Sequence, residues 1–374
     1  MKRIMFVAGE ASGDQHGAEI IKQLPHQNYQ CFGIGGKRMQ QAGMTLLFDA
    51  AQIAVVGFVE VLKHFPAIRQ AWKIAKQAIN ERKPDLIVLI DYPGFNLRLA
   101  RYAKQQGIKV LYYISPQVWA WRQKRVEKIK QCVDHMAVIF PFEVDFYQKA
   151  DVPVSFVGSP LVEQVQSCGG QQVAQQKCKL PTDHTFVGLL PGSRHSEIQR
   201  LLPTMVETAK RLQQHQAHLH FILPIASTLK RTDIEPYLTD IKNEITIIED
   251  NTHAAIEACD AVICSSGTAT LETALLQVPL VVIYKTSALT FWLAKRLICI
   301  KNIALCNIVA GKRIVQEYLQ HDVNPDSLEA EVRKLLTDAD YRNQIKTELA
   351  QVKNKLGQPG AADKVVALIE ELLR

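Results

Sequence analysis

The sequence predicts an α/β protein made of two Rossmann-like, doubly wound domains facing a central cleft. Three observations lead there. Short, continuous apolar runs alternate with longer stretches of helical periodicity, as expected of parallel strands covered on both faces. The alternation breaks once, in a Gln-rich stretch, and then restarts, so the 374 residues divide into two cores. Finally, the polar motifs fall where an apolar run ends and a helical pattern begins, which is where open α/β sheets bind ligands.

In chain order, strands are expected at residues 3–10, 30–35, 85–91, 109–115, 135–140 and 154–158. Helices are expected at 13–24, 67–82, 96–106, 122–131 and 143–150. Residues 163–184 hold few large apolar side chains and read as the junction, with one short helix. The pattern resumes with strands at 185–190, 219–224, 245–249, 261–264 and 280–284. The tail from 325 is helical and polar-faced, broken by Gly357-Gln358-Pro359-Gly360. The domains are accordingly set at 1–165, 166–345 and a helical tail at 346–374.

The formal net charge is +7, and it is unevenly spread. Residues 60–130 hold 15 Lys/Arg against 5 Asp/Glu, which leaves the rest of the chain slightly acidic. A basic region of this kind suits an anionic partner such as phosphate or a membrane surface, although charge alone leaves open a set of solvated helix faces. Eight cysteines lie apart, several in apolar runs and none in a C-x-x-C pair, as expected of reduced, buried thiols in a cytosolic protein. Neither a zinc pattern nor a run of 18 apolar residues occurs, so neither a metal nor a transmembrane helix is expected. The opening "MKRIMFVAGE" reads as a first buried strand rather than a signal peptide, because its apolar run is too short.

Two strand-to-helix turns have the character of phosphate sites. In "LLPGSRHSEI", Gly192 and Ser193 form a tight turn and Arg194 adds a guanidinium fork. The first turn of the following helix presents N–H groups to an anion. The other reading is an Arg-containing loop with a plain Ser-x-x-Glu-like cap. In "CSSGTATLETALLQVP", Ser266, Gly267 and Thr268 end a buried strand. Glu272 follows about one turn later, at a spacing suited to ribose hydroxyls.

The first strand ends in "GEASGD", where Glu10, Ser12, Gly13 and Asp14 form a candidate substrate-lining loop. Ser12 and Asp14 would also cap the next helix. "LIVLIDYPGFN" brings Asp91 to the end of a very apolar strand, a good position for a general base. Asn307, between Cys306 and Ile308, is a polar amide in apolar surroundings and a candidate ligand contact, with Glu317 beyond it. Phe58, Val61, Leu62 and Phe65 recur at helical spacing among Lys63, His64 and Arg69, so they form either a core helix or an apolar patch for acyl chains. "GIGG" fails the dinucleotide spacing, and no RNA-binding signature is present, so neither NAD nor nucleic acid is expected.

"GEASGD", "GFVEVL", "DYPGFN", "SPQVWAWRQKRVEKI", "PGSRHSEI", "SGTATLE", "TFWLAKRL" and "CNIVAG" occur in this order, over about residues 3–320. With these motifs the chain resembles the lipid-A-disaccharide synthases of Gram-negative lipopolysaccharide synthesis. That resemblance implies a GT-B fold, with an acceptor- and membrane-facing first domain and a UDP-sugar-binding second domain. It implies transfer of 2,3-diacylglucosamine from UDP-2,3-diacylglucosamine to 2,3-diacylglucosamine 1-phosphate, with inversion and without a cofactor. It further implies a homodimer exchanging C-terminal segments, working peripherally on an anionic membrane surface at the inner face of the cytoplasmic membrane. By the same resemblance Asp91, Arg194 and Asn307 are catalytic, and Glu272 holds ribose. The family pattern often has Thr where this chain has Ala11. Two other readings remain: another UDP-sugar enzyme of the same architecture, such as a UDP-N-acetylglucosamine epimerase, and a non-catalytic nucleotide or lipid binder.

Overall fold

The computed structural model describes residues 1–53, 65–121, 123–216, 218–241, 244–287, 291–292 and 300–374. The chain divides into two compact units, Met1–Pro160 with Gly357–Arg374, and Leu161–Leu356. Among the described residues, no helix is long and apolar enough to cross a membrane.

The first unit is built on a parallel sheet of seven strands: β1 (Lys2–Ala8), β2 (Tyr29–Gly35), β3 (Thr45–Asp49), β4 (Leu86–Ile90), β5 (Lys109–Tyr113), β6 (His135–Val138) and β7 (Val154–Phe156). Their order is β3-β2-β1-β4-β5-β6-β7. Its helices are α1 (Ala11–Gln23), α2 (Lys37–Gln41), α3 (Phe65–Arg82), α4 (Pro93–Gln105), α5 (Val126–Lys130) and α6 (Phe142–Gln148). The central strands are apolar throughout because both faces are covered: β4 reads LIVLI and is wholly buried. One face packs on α3 to α6, and the other on α1 and the C-terminal helix.

In the second unit, α7 (Leu161–Gln164) and α8 (Gln171–Lys177) precede a parallel sheet of β8 (Thr185–Leu190), β9 (Leu219–Pro224), β10 (Ile245–Ile248), β11 (Ala261–Ser265), β12 (Leu280–Tyr284) and β13 (Glu317–Leu319). The order is β10-β9-β8-β11-β12-β13. The helices are α9 (His195–His215), α10 (Thr252–Glu257), α11 (Ala269–Leu275), α12 (Leu305–Ala310), α13 (Pro325–Thr337) and α14 (Ala339–Lys355). A last helix, α15 (Ala361–Leu373), returns to the first unit, where Ala362, Val365 and Ile369 join Ile4, Phe6 and Ile20 in its core.

Both sheets reverse direction beside their first strand, between β1 and β4 and between β8 and β11. This is the doubly wound arrangement, with two predicted strands per reversal. The unpredicted strands are β3 and β13. Both lie at a sheet edge and are only partly buried, so neither carries the continuous apolar run that marks a covered strand. The helix expected at 122–131 is shorter. Two single 3-10 turns, Gln117–Trp119 and Gln123–Arg125, lead into α5. Trp119 is core, whereas Trp121 is exposed, with the Arg125 guanidinium 5.9 Å from its ring centre.

The segment after β5 is tied down by one buried acid. Glu143 takes a hydrogen bond from Trp119 Nε1 at 3.1 Å and another from the Phe140 amide at 3.0 Å. Burial pushes its carboxyl up to about 7 from an ordinary 4.5. The folded protein therefore binds this proton where the unfolded chain does not. The stabilising contribution is complete below pH 4.5 and is lost as pH rises through about 7. Glu143→Gln, which mimics the protonated form, should gain thermal stability relative to the parent as pH rises across that window. Melting curves of both proteins at several pH values check this; a constant difference would refute it.

Candidate active site

Strands β1 and β4 run side by side, Ala8 opposite Ile90, so Gly9-Glu10 and Asp91-Tyr92 leave the sheet together. Asp91 and Tyr92 both take left-handed backbone, at φ 46° and 47°. Such a pair is costly for non-glycine residues and persists where surroundings enforce it. Here the Asp91 carbonyl accepts from Tyr112 Oη at 2.6 Å and Asn96 Nδ2 at 2.8 Å. Tyr92 Oη in turn donates to Ile53 O at 3.0 Å. A Cβ at Gly9 would lie 2.3 Å from the Tyr92 ring, so only glycine allows that approach. Burial, reinforced by the Glu10 charge, pushes the Asp91 carboxyl up to about 6.

Asp14 of "GEASGD" serves a different purpose from the expected one. Ser12, Gly13 and Asp14 lie inside α1, and Glu10 is its N-cap. Asp14 is buried and accepts from the amides of Gly36, Arg38 and Met39, at 2.7, 3.1 and 3.0 Å. It therefore caps α2, not α1, and its oxygens are spent on the fold rather than turned to a ligand. No sequence rule pairs residue 14 with a helix start 23 residues later; only the β1–α1–β2 packing does.

In the second unit, β8 and β11 are neighbours, Cys264 opposite Leu190, and the turns after them line a cavity of about 300 Å³. Gly192, Ser193 and Arg194 form one wall, and Ser265 to Ala269 the other, with Glu272 on its side. Gly192 has φ +114°, where a Cβ would fall 2.2 Å from Glu197 Oε2. That carboxylate accepts from the amides of Ser193 (2.9 Å) and Arg194 (3.2 Å), and its other oxygen lies 3.4 Å from Arg194 Nη1. Half of the capping reading is thus realised: Glu197, in the first turn of α9, accepts from the amide of the N-cap residue, which is Arg194 rather than a serine and has no acceptor to return. The Arg194 side chain is 60% exposed. Gly267 is bare: a Cβ there would meet nothing within 4 Å.

Glu272 is raised by burial, and His253 Nε2 lies 3.9 Å from its Oε2. Burial also lowers His253, so at neutral pH this is a contact with a neutral imidazole and not an ion pair. A second cavity, of about 590 Å³, shares Ala226, Thr252 and Glu272 with the first and extends past Asn251 and His253 to Cys168. Sequence reasoning passed over Glu197 as a ligand-site residue and missed His253. Only the capping spacing of the former was visible.

The expectation that Asn307 and Glu317 face a ligand is not met. Asn307 is wholly buried and its amide is saturated. It donates to Val315 O (2.9 Å) and Glu317 Oε1 (2.7 Å), and accepts from the amides of Ile314 and Val315. Glu317 accepts from the amides of Ile303 and Ala304, both at 3.0 Å. The pair clamps α12 to β13. Ser266 Oγ donates to Ile303 O at 3.0 Å, which joins this clamp to the cavity wall. Phe58, Val61 and Leu62 lie outside the described residues, and Phe65 opens α3 with 60% exposure. Among the described residues no group of three or more His, Cys, Asp or Glu is placed to hold a metal.

Comparison with known proteins bears on this geometry. The fold is similar to that of the S. aureus MnaA–UDP co-structure, at TM-score 0.67 and 13% identity over 100% of this chain and 97% of that one. It is also similar to CalG4, the calicheamicin glycosyltransferase, at TM-score 0.62 and 13% identity over 100% and 98%. At such identities the likeness is one of fold, and that fold is GT-B. In sequence, the chain is 51% identical to the lipid-A-disaccharide synthase of Trichlorobacter lovleyi, over 98% of this chain and 97% of the relative. The profile of the family described as lipid-A-disaccharide synthetase matches residues 4–368. With motifs, fold and nearly the whole length in agreement, the chain belongs to the lipid-A-disaccharide synthase family of glycosyltransferases.

Proposed function

We propose that this enzyme transfers 2,3-diacylglucosamine from UDP-2,3-diacylglucosamine to the 6-hydroxyl of 2,3-diacylglucosamine 1-phosphate, giving a β-1,6-linked disaccharide 1-phosphate and UDP. The observation that carries the reading is the cavity of about 300 Å³ walled by the Gly192–Arg194 and Ser265–Thr268 turns at the second sheet's reversal. It offers an exposed guanidinium and two turns of backbone to a diphosphate, with Glu272 and His253 beside it for ribose hydroxyls.

The reaction is a single displacement with inversion. Asp91 takes the proton of the acceptor's 6-hydroxyl as that oxygen bonds to the anomeric carbon. The bond from that carbon to the diphosphate breaks, and its electron pair leaves on the phosphate oxygen. Arg194 and the Ser265–Thr268 turn stabilise the charge that grows there. A carboxyl raised to about 6 suits a base working near neutrality, because it is ionised there and yet holds a proton well. Ser12 and Gly13 of the α1 turn belong to the acceptor side, and Gly267 leaves room for backbone to meet the donor.

Docking on an anionic membrane surface at the inner face of the cytoplasmic membrane belongs to the same reading. A groove of about 600 Å³ on the first unit is lined by Trp72, Leu97 and Tyr102 together with Arg98, Arg101, Arg125 and Lys128. None of these cations has a carboxylate partner among the described residues. Phe65 lies on a neighbouring groove that shares Trp72. Phe58, Val61 and Leu62 lie outside the described residues and are proposed as acyl contacts from their spacing in the sequence alone, and a homodimer is proposed from the family resemblance.

Turnover, its pH dependence and vesicle binding test the reading, and unfolding of an Asn307 variant tests that residue's structural role. UDP release should depend on 2,3-diacylglucosamine 1-phosphate, with a disaccharide 1-phosphate as lipid product, and Asp91→Asn should lower kcat by roughly 100-fold or more. The parent rate should fall with decreasing pH through about 6, the side on which Asp91 is protonated. Acceptor-independent UDP release would sink the transferase assignment. Asn307→Ala should cost roughly 1–3 kcal/mol for each buried partner left unsatisfied, read by denaturant unfolding; a variant of parental stability would place Asn307 elsewhere. Replacing Arg98 and Arg101 by Ser should weaken binding to anionic vesicles by about 1 kcal/mol per charge, with neutral vesicles unaffected.

A further inference from the structure

We infer that Glu197 is an internal stand-in for phosphate: its carboxylate fills the diphosphate cradle of the ligand-free protein and must swing out when the nucleotide binds. The inference rests on the diphosphate assignment above and adds a competing residue to that site. Glu197 Oε2 holds the Ser193 and Arg194 amides, at 2.9 and 3.2 Å, and Oε1 lies 3.4 Å from Arg194 Nη1. These are the donors on the β8 side of the cavity that a diphosphate would use. An N–H engaged by a carboxylate is not available at full strength to a phosphate oxygen. Two anions sharing one partly buried cradle also repel strongly. Carboxylate and diphosphate are therefore alternatives.

The loop is shaped for the closed arrangement. Gly192 supplies the space that a Cβ would take from Glu197 Oε2. Thr228 Oγ1 donates to Ser193 O at 2.6 Å and holds the turn from its other side. The Glu197 side chain also has a way out: it is 27% exposed, on the first turn of α9. Arg194, 60% exposed, is free to follow a phosphate rather than the carboxylate. Such an exchange has a consequence for turnover. After transfer, the returning carboxylate competes with UDP for the same donors and speeds product release.

A fixed strut and a competitor predict opposite signs. UDP binding by calorimetry is compared for the parent, Glu197→Gln and Glu197→Ala, with circular dichroism to verify folding. Glu197→Gln keeps an oxygen that can accept from both amides and loses the charge and the acceptor facing Arg194 Nη1, so it remains readable if Glu197→Ala unfolds. Competition predicts a UDP Kd lower by about tenfold and stronger inhibition of turnover by UDP. Unchanged or weaker UDP binding in folded Glu197→Gln overturns the inference. Arg194→Ala separates the two failures. If it leaves UDP affinity untouched, the diphosphate assignment itself is wrong; if it weakens UDP while Glu197→Gln does not tighten it, only the competing role of Glu197 falls.

Discussion

Parallel strands whose connections leave in opposite directions cannot be covered by helices where they part. Both units contain one such place, between β1 and β4 and between β8 and β11. At each, two chain segments emerge side by side from a sheet that is buried on both faces, and each must turn at once into its own helix. In each unit the polar turns beside the first strand follow from that constraint. Asp91 with Glu10, and Arg194 with the Ser265–Thr268 turn, are neighbours because their strands are neighbours, although each pair is separated by more than 70 residues of sequence.

The acids in these turns divide by what surrounds them. Asp14, Glu143 and Glu317 are buried and accept backbone amides, so they bind distant segments together. Such bonds make buried charge tolerable and fix loop shape. Asp91 and Glu272 are raised by burial, as Glu143 is, but they stand at or just past strand-end turns, Asp91 beside Glu10 and Glu272 on the wall of the second unit's cavity. Acids kept in this condition are available for proton transfer or for hydroxyl recognition. Glu197, only partly buried, accepts backbone amides at the head of α9 with the same atoms that line the proposed diphosphate cradle.

The first and second halves repeat one winding, and the additions to it are informative. The second sheet stops at β13, whose Glu317 reaches back to Asn307 and, through Ile303, to Ser266. An edge strand thereby stiffens a wall of the cavity two strands away. In the first unit α15 supplies apolar cover from the far end of the chain, and Glu143 holds the aromatic segment after β5.

Alternating apolar runs and helical patterns determined the two doubly wound units, because a strand covered on both faces must be apolar at every position. Turn composition at strand ends likewise marked Asp91, Arg194, Ser266, Gly267 and Glu272, since a tight turn into a helix needs those residue types locally. The edge strands β3 and β13 were illegible, being half-exposed and short. The roles of Asp14, Asn307 and Glu317 were equally hidden: a polar residue beside an apolar run looks the same whether its hydrogen bonds go to a ligand or to a remote amide. Only the tertiary structure decides that, because the partners lie 7 to 25 residues away and are brought within reach by packing.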